Sequence, residues 1–309
     1  MPAARLPSGI IAASIPPGAA MIRRFLQLEV FARRAGEGNP LAVVLDAGGL
    51  DTAAMQRFAA WTNLSETTFV VPPARPGADF GVRIFTPRQE LPFAGHPTVG
   101  TAWAAVEAGL VAPRDGHLVL DCAAGPLLVR VENDGGRRLT HVRAPHARLI
   151  GANHADLLTA ATCGWRFGAL PAAIVDNGPR WWLVELADAA AVRGLVPDPA
   201  AIAALTRASG TVGLAVFART TKGDHALVVR AFCPADNIPE DPVTGSAQAA
   251  IAAFLQHHGR LPGPRYRASQ GREVGRDGTV EVAVDAADAV WIGGPSVAVI
   301  RGTLEDWPA

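Results

Sequence analysis

Two acidic side chains and one histidine have the residue types and the neighbours needed to move a proton. His96 immediately precedes Pro97 in the segment ELPFAGHPT, and Glu240 and Asp241 lie side by side in NIPEDPVTGS. Glu66 lies in NLSETTFV, directly before a run of apolar and hydroxyl residues. Carboxyl and imidazole groups are the commonest general acids and bases in enzymes. These three segments therefore indicate acid/base chemistry.

Each of these residues also has an ordinary structural explanation. Glu66 is expected to be partly withdrawn from water, which raises the pKa of a carboxyl above about 4.3 and improves it as a proton carrier; a salt bridge or a helix-end role is the alternative. His96 could instead cap a helix or bond a carbonyl group. Asp241 and Thr244 are of types that often cap helices. The residue types alone leave these alternatives open.

Both proline-rich segments stand directly before a helix whose first turn has small residues. The first turn of a helix has free amide groups and a partial positive charge, so an anion binds well there. If two such helix starts face one another across a domain interface, they form a place where ligands often bind. The pattern predicts a site for a small acid between the two helices.

The two segments belong to a longer internal repeat. Five residues of the first half recur in the second half at an offset of 147, and a short stretch at each helix start recurs at 145. The matched sets are Val82, Arg83, Phe85, Pro87 and Pro92 with Val229, Arg230, Phe232, Pro234 and Pro239, and Gly100–Thr101–Ala102 with Gly245–Ser246–Ala247. The repeat predicts two similar domains, each a curved sheet around a helix.

The local patterns supply elements for these domains. The segment RRFLQLEVFA alternates apolar and polar residues, as a strand does, and LAVVLDA is an apolar run typical of a buried strand. The turn GEGNP joins the two strands. DTAAMQRFAAWTN reads as a helix capped by Asp51 or Thr52, and two further helices follow, PTVGTAWAAVEAG and TGSAQAAIAAFLQHHG. Strands fill most of the remainder. The predicted class is α+β.

Composition excludes several classes of function. The 309 residues carry no net charge, so neither nucleic acid nor an anionic membrane is an expected partner. The widely spaced Cys122, Cys163 and Cys233 suggest no disulfide or zinc site and favour a cytoplasmic location. No P-loop, GxGxxG or HExxH motif appears, so no cofactor or metal is expected. Residues 1–20 are expected to form a disordered tail, with a signal peptide as the alternative.

The motifs together resemble one family. FTPRQELPFAGHPTVGTAWA and AFCPADNIPEDPVTGSAQAAI, preceded by GNPLAVVLDA and NLSETTFV, are similar to the PhzF-like family of phenazine biosynthesis, which has the diaminopimelate epimerase-like fold. The likeness runs from about residue 21 to the C-terminus. It implies two pseudo-symmetric domains, each a mostly antiparallel curved sheet around a central helix, formed by residues 21–126 with 295–309 and by residues 127–294. A homodimer is implied as well.

The resemblance also implies a cofactor-independent isomerase for a small carboxylate-bearing substrate, such as a cyclic dihydro-hydroxy amino acid. Glu66 would remove a proton from a substrate carbon and return it elsewhere, with His96 and Asp241 as further catalytic residues. The residues that would offer amides and hydroxyls to the substrate carboxylate are Gly95, Thr244, Gly245 and Ser246. The racemases of this fold use one cysteine in each segment, and this chain has neither thiol there.

Two other functions remain possible from the sequence. A non-catalytic protein that binds a small acid would keep the same cleft. A serine hydrolase could use Ser246, His96 and Asp241, which are the three residue types of a catalytic triad. Against the hydrolase, Ser246 lies in TGSA rather than in a GxSxG turn.

Overall fold

The computed structural model describes residues 22–152, 154–221, 223–305 and 307, so the predicted tail at 1–20 lies outside the described residues. The strands of the described part are β1 (Arg23–Val30), β2 (Asn39–Val44), β3 (Thr67–Val71), β4 (Phe80–Phe85), β5 (Glu90–Leu91), β6 (His117–Cys122), β7 (Gly125–Asp134), β8 (Arg137–Arg143), β9 (Arg148–Ile150), β10 (Ala173–Asp176), β11 (Arg180–Glu185), β12 (Gly213–Arg219), β13 (Leu227–Cys233), β14 (Ile238–Asp241), β15 (Arg265–Gln270), β16 (Gly278–Val284) and β17 (Val290–Leu304). Its helices are α1 (Thr52–Thr62), α2 (Gly95–Glu107), α3 (Ala155–Ala161), α4 (Ala189–Arg193), α5 (Pro199–Ser209) and α6 (Gly245–His257). The fold is a mixed one dominated by sheet, as the sequence predicts.

The strand pairing repeats along the chain with the predicted offset. Thr67 of β3 pairs with Phe85 of β4, and Leu214 of β12 pairs with Phe232 of β13, so each partner recurs after 147 residues. The parallel pairs β2–β3 and β4–β6 recur as β11–β12 and β13–β15. The two halves of the chain therefore share one register of strands.

The two long helices are equivalent at a different offset. α2 and α6 each have 13 residues and begin at Gly95 and Gly245, which lie 150 positions apart. The predicted match of Gly100 with Gly245 is therefore wrong. Small residues occur throughout both helices, so a short Gly–small–Ala stretch does not fix their alignment.

Both helices are buried along most of their length. α2 is buried from His96 to Ala105, and α6 is buried at nine of its residues. A helix that is apolar on all sides is stable only within a core. Gly100 brings α2 close to β1 and β2, because a Cβ there would lie 2.6 Å from side-chain atoms of Leu41 and Val30. These close contacts fix α2 against β1 and β2.

The last strand connects the two halves. β17 pairs with β16 and β8 through residues 290–295 and then with β1 through residues 296–304. β7 and β8 continue the antiparallel ladder of β6 as far as Arg143. The domain boundary predicted at residue 126 therefore falls within a hydrogen-bonded ladder.

Gly293, at the meeting of β8 and β17, provides a test of this packing. A Cβ at this position would lie 2.3 Å from the carbonyl oxygen of Thr140 and 2.4 Å from the His141 ring. We expect Gly293→Ala to lower the free energy of unfolding by about 2 kcal/mol or more, measured by urea denaturation. Gly302→Ala in the same strand is the control, since no atom lies within 4 Å of its Cβ position. Equal stability of the two variants would contradict this packing.

In the described part of the chain, no helix combines the length and the apolar character required to cross a membrane.

Candidate active site

A cleft of about 1930 Å³ lies where the first turns of α2 and α6 meet. All seven site residues predicted from the sequence are in its wall. They are Glu66, Gly95, His96, Asp241, Thr244, Gly245 and Ser246. Residues up to 180 positions apart in the chain therefore converge on one cavity.

The starts of the two helices are in contact. A Cβ on Gly95 would lie 3.4 Å from the backbone nitrogen of Ser246, so glycine allows the two backbones to approach. Neither helix has a side-chain hydrogen bond from its N-cap residue, which is Ala94 in α2 and Thr244 in α6. The partially positive ends of two helices thus face the same space, an arrangement that favours the binding of an anionic ligand.

Glu66 is held in the cleft wall between α1 and β3. Its side chain is 17% exposed, and its Oε2 atom is buried without a hydrogen-bond partner among the described residues. Burial raises the pKa of the Glu66 carboxyl above its usual value, because the charged form loses its hydration. The expected desolvation of this carboxyl is confirmed, and within the described ranges no lysine or arginine forms a salt bridge with it.

His96 lies beside Glu66, with Nε2 3.4 Å from Oε2 of the carboxyl. The imidazole also bonds the backbone of Pro40. Proline has no N–H, so the ring donates to its carbonyl, and Nδ1 is the donor because Nε2 faces Glu66. Burial lowers the pKa of His96 to about 4, although the negative charge of Asp241 opposes the shift. His96 is therefore neutral at physiological pH and offers a free acceptor to Glu66.

Asp241 approaches the same point from the second half of the chain. Its Oδ1 accepts a hydrogen bond of 3.0 Å from the Asn39 side chain, and its Oδ2 accepts one of 2.5 Å from the Thr244 hydroxyl. Burial raises the pKa of Asp241 to about 6; His96 and these hydrogen bonds oppose the shift, and the charge of Glu66 adds to it. Asp241 thus changes protonation state close to neutral pH.

Gln270 and Asn39 position Asp241, and the sequence analysis missed both. The side-chain nitrogen of Gln270 donates one hydrogen bond of 2.8 Å to the Thr244 hydroxyl and one of 3.0 Å to the backbone carbonyl of Asp241. Its side-chain oxygen accepts a hydrogen bond of 3.1 Å from the backbone N–H of Thr244. The amide and hydroxyl hydrogens of Thr244 are therefore engaged by protein groups, and its predicted contact with substrate stays a prediction. Asn39 was visible only in the family motif GNPLAVVLDA, and its contact with Asp241 spans 202 positions.

A family model described as phenazine biosynthesis-like protein matches residues 28–302 of this chain. The chain belongs to the phenazine biosynthesis-like protein family. The resemblance stated from the sequence motifs is thereby confirmed.

Curated members of the phenazine biosynthesis-like family include two isomerases similar to this chain. An uncharacterized isomerase of Deinococcus radiodurans is 37% identical, with 94% of this chain aligned to 96% of its own. The trans-2,3-dihydro-3-hydroxyanthranilate isomerase of Pseudomonas fluorescens is 35% identical, with 92% of this chain aligned to 99% of its own. These names confirm the predicted class of enzyme, an isomerase.

Solved structures agree with the family at the level of the fold. A phenazine biosynthesis protein of the PhzF family from Bacillus anthracis has a TM-score of 0.79 at 24% identity, covering 92% of this chain and 99% of its own. A hydroxyproline epimerase from Agrobacterium vitis has a TM-score of 0.59 at 13% identity, covering 93% of both chains. The phenazine biosynthesis-like fold is thus shared with epimerases.

The serine hydrolase considered from the sequence is not assembled in this family member. Ser246 Oγ accepts a hydrogen bond of 3.1 Å from the Trp181 indole. The His96 Nε2 atom has no hydrogen-bond partner among the described residues, and it faces Glu66. A triad needs the histidine to bond the serine hydroxyl.

Cys233 also lines the cleft of this family member, although neither helix start contains it. Burial is the main cause that raises the pKa of its thiol well above the usual value, and the nearby charges of Asp241, Asp236 and Glu66 add to the shift. A thiol in this state is neutral and is a poor base. Cys233 is therefore a buried residue of apolar character rather than a base.

The ring of His96 should stay neutral under mildly acidic conditions. Its pKa of about 4 predicts ¹⁵N imidazole shifts typical of a neutral ring at pH 8 and still at pH 5. The signal would be assigned by its loss in His96→Asn. Because the folded pKa lies below the unfolded one, this residue removes stability as pH falls from about 6.5 towards 4. A midpoint of titration near 6.5 in the folded protein would contradict the burial described here.

Proposed function

We propose that this chain isomerises a small carboxylate-bearing substrate by moving one proton from carbon to carbon within the cleft. The observation that carries the proposal is the convergence of Glu66, His96 and Asp241 beside two uncapped helix starts. A proton carrier and an anion-binding surface then lie within one cavity. An isomerisation needs both and requires no outside oxidant or reductant.

Glu66 is the proposed proton shuttle. As a carboxylate it accepts the proton of a substrate carbon, and as a carboxylic acid it returns the proton to another carbon of the same molecule. Its raised pKa supports both steps, because burial makes the protonated form of the carboxyl easier to reach than it is in water. Withdrawal from bulk water also slows loss of the proton to solvent.

The helix starts are proposed to stabilise the charge that forms when the proton leaves. Removing a carbon-bound proton places negative charge on the adjoining unsaturated system and on the carboxylate. Fixed amide dipoles aimed at that charge act most strongly in the transition state. Gly95, Gly245 and Ser246 are the proposed donors, and Thr244 contributes through Asp241.

His96 and Asp241 are proposed to set the protonation state of the site. A neutral His96 with its lone pair towards Glu66 favours the protonated carboxyl after the first step. Asp241 can hold a second proton near pH 6 and so reduces repulsion between the two carboxyls.

The proposed substrate is trans-2,3-dihydro-3-hydroxyanthranilate or a closely similar cyclic amino acid. The support is the isomerase of Pseudomonas fluorescens that is 35% identical over 92% of this chain. The cleft is larger than such a ring, so a longer acid is compatible with its volume of about 1930 Å³. No cofactor is required by the chemistry proposed.

The cleft is proposed to lie between two lobes, each a sheet wrapped around α2 or α6. The repeated strand register supports this division. The ladder from β6 to β8 favours a first lobe that extends to about residue 143 and includes the end of β17. Pairing of two copies into a homodimer and a cytoplasmic location are part of the same proposal.

The direct test is to incubate the purified protein with trans-2,3-dihydro-3-hydroxyanthranilate and follow the proton spectrum of the mixture. We expect the signals of one ring carbon to be lost and new ones to appear at another, without added cofactor. Thermal stabilisation by this compound without conversion would favour a non-catalytic binding protein. Neither binding nor conversion of this or related cyclic amino acids would contradict the proposal.

A further inference from the structure

Trp181 connects strand β11 to the first turn of α6. Its indole nitrogen donates a hydrogen bond of 3.1 Å to the hydroxyl oxygen of Ser246. The side chain is 3% exposed, and Trp181 is nevertheless part of the cleft wall. A buried indole N–H usually has a hydrogen-bond partner, but here the partner is a residue that the proposed function places at the substrate. The effect of Trp181 on the Ser246 hydroxyl therefore bears on binding.

Gly213 provides the space for the Trp181 ring. The two residues are paired in the parallel strands β11 and β12. A Cβ on Gly213 would lie 2.5 Å from Cζ3 of the indole. This is well inside the separation of about 3.5–4.0 Å at which carbon atoms pack. The indole ring therefore occupies the space in which a side chain at position 213 would begin.

The two halves of the chain have different groups at this place. Glu66 directly precedes Thr67, so the offset of 147 residues that relates the strands makes Gly213 the equivalent of Glu66. The offset of 150 residues that relates α2 to α6 makes Ser246 the equivalent of His96. The first half brings a carboxyl to 3.4 Å from an imidazole, whereas the second half brings an indole N–H to a hydroxyl. A neutral donor thus stands where the first half has a proton carrier.

The Ser246 hydroxyl has one hydrogen to donate. An indole N–H can only donate, so Ser246 is the acceptor in its hydrogen bond with Trp181, and its own hydrogen is not used there. Within the residues that the structure describes, the Ser246 hydroxyl donates to no protein group. Thr244, whose hydroxyl is also at the start of α6, donates its hydrogen to Asp241. Of these two hydroxyls, that of Ser246 is therefore the one that can donate to a ligand.

Asn177 holds the backbone of the same serine. Its side-chain nitrogen donates a hydrogen bond of 2.9 Å to the Ser246 carbonyl, and the residue is 2% exposed. Asn177 lies in the turn between β10 and β11, shortly before Trp181. One hairpin thus contacts Ser246 at two points, the carbonyl and the hydroxyl oxygen. The position of the hydroxyl oxygen is therefore set by this hairpin as well as by α6.

We propose that Trp181 is a positioning residue, which makes the Ser246 hydroxyl a hydrogen-bond donor to the substrate carboxylate. The indole occupies one acceptor position of the Ser246 oxygen and leaves the hydroxyl hydrogen for the cleft. A carboxylate oxygen is a strong acceptor for such a hydrogen. This inference rests on the proposed function, because that function places a carboxylate at the start of α6. It adds the residue that determines how Ser246 takes part.

The test is a double-mutant cycle of Trp181→Phe and Ser246→Ala, measured by calorimetric titration with anthranilate at pH 8. Anthranilate has the adjacent amino and carboxylate groups of the proposed substrate but no saturated ring carbon, so it binds without reacting. We expect Trp181→Phe to weaken its binding about fivefold and Ser246→Ala about tenfold. In the Ser246→Ala background, Trp181→Phe should change the affinity by less than about twofold, because the hydroxyl through which it acts is gone. The kcat/KM on the proposed substrate should follow the same pattern.

Trp182→Phe is the matched control. The indole of Trp182 donates a hydrogen bond of 2.9 Å to Ser209 at the end of α5, and Trp182 is not part of the cleft wall. Successive side chains of a strand point to opposite faces of the sheet. Trp181→Phe and Trp182→Phe therefore remove the same kind of ring and hydrogen bond on opposite sides of β11. Both should lower the melting temperature, and of the two variants Trp181→Phe alone should weaken the binding of anthranilate.

Three results would overturn the inference. The first is no saturable binding of anthranilate by the wild-type protein, and the second is unchanged affinity in Trp181→Phe. The third is equal weakening by Trp181→Phe in the wild-type and Ser246→Ala backgrounds, which would mean that the indole only supports the fold.

Turnover of trans-2,3-dihydro-3-hydroxyanthranilate by the wild type tests the proposed function separately. Turnover without the expected coupling between Trp181 and Ser246 would refute the role of Trp181 alone. Coupling in the binding of anthranilate without turnover would refute the proposed function and leave Trp181 as a positioning residue of an acid-binding site.

Discussion

Glu66→Gln is expected to lower kcat about a thousandfold, while the protein stays folded and still binds its substrate. Glutamine keeps the shape of the side chain but cannot accept or return a proton, and general acid/base catalysis contributes about 10²–10⁴ in rate. The loss should fall on kcat more than on KM, because the proton is transferred only after binding. Steady-state kinetics on the proposed substrate measure both quantities.

The same variant should be more stable than the wild type at high pH. Burial raises the pKa of Glu66, so its folded carboxylate is disfavoured, and this disadvantage grows as pH rises above the pKa of the unfolded chain. Glu305→Gln, at an exposed position near the end of the chain, is the matched control and should change neither kcat nor stability. A Glu66→Gln enzyme that keeps more than a tenth of wild-type kcat would remove Glu66 from the mechanism.

Asp241→Asn should produce a large change in stability that depends on pH. The folded pKa of about 6 exceeds the reference of 3.8, so the stability that this group contributes is present below about pH 3.8 and is lost as pH rises to 6. Above pH 6 the buried carboxylate costs up to about 3 kcal/mol. Asparagine removes that cost, so the melting temperature should rise at pH 8 and hardly change at pH 4.

The kcat of Asp241→Asn should fall, although its melting temperature at pH 8 should rise. An amide can accept from Asn39 but cannot exchange a proton with the pair of Glu66 and His96, and we expect a loss in kcat of about a hundredfold. The control is Asp156→Asn, an exposed aspartate in α3, for which both properties should be unchanged. Loss of stability at pH 8 in Asp241→Asn would show that the carboxylate is needed for folding.

The effects expected for Glu66→Gln and Asp241→Asn have the same physical cause. Burial shifts the pKa of Glu66, His96 and Asp241 in the direction that favours the neutral form, because it removes the hydration of the charged form, and no lysine or arginine in the described part of the chain forms an ion pair with any of the three. The buried pair Arg230 and Glu240 shows the alternative. There a carboxylate directly before Asp241 bonds a guanidinium at 2.8 and 2.9 Å and serves packing. Of these two adjacent acids, Glu240 is therefore part of a buried ion pair, whereas Asp241 is a carboxyl of the proposed active site.

The sequence was informative where function depends on local pattern. The strand offset of 147 and the starts of α2 and α6 near Gly95 and Gly245 follow from residues that lie close together in the chain. The alignment of the helices did not follow, because their small residues repeat too often to fix a register. Trp61, near the end of α1, is 71% exposed although it is a large apolar residue, since a helical pattern does not show where the covering elements end.

Short sequence patterns could not identify the two residues that position Asp241. Gln270 lies at the end of β15, outside every motif quoted from the sequence, and Asn39 lies at the start of β2, in a motif that does not show what its side chain contacts. Their role comes from the pairing of strands distant in sequence, which brings both amides to Asp241. Only the fold joins these residues to the catalytic three.

The most direct test of the proposed mechanism follows one labelled proton. The substrate would be trans-2,3-dihydro-3-hydroxyanthranilate with deuterium at its two saturated ring carbons, and the product would be analysed by NMR after reaction in ordinary water. A carboxyl shuttle predicts slower turnover than with unlabelled substrate and deuterium at the receiving carbon in part of the product, both absent in Glu66→Gln. Product formed at equal rates in the wild type and in Glu66→Gln, with the label retained at its original carbons, would contradict the mechanism.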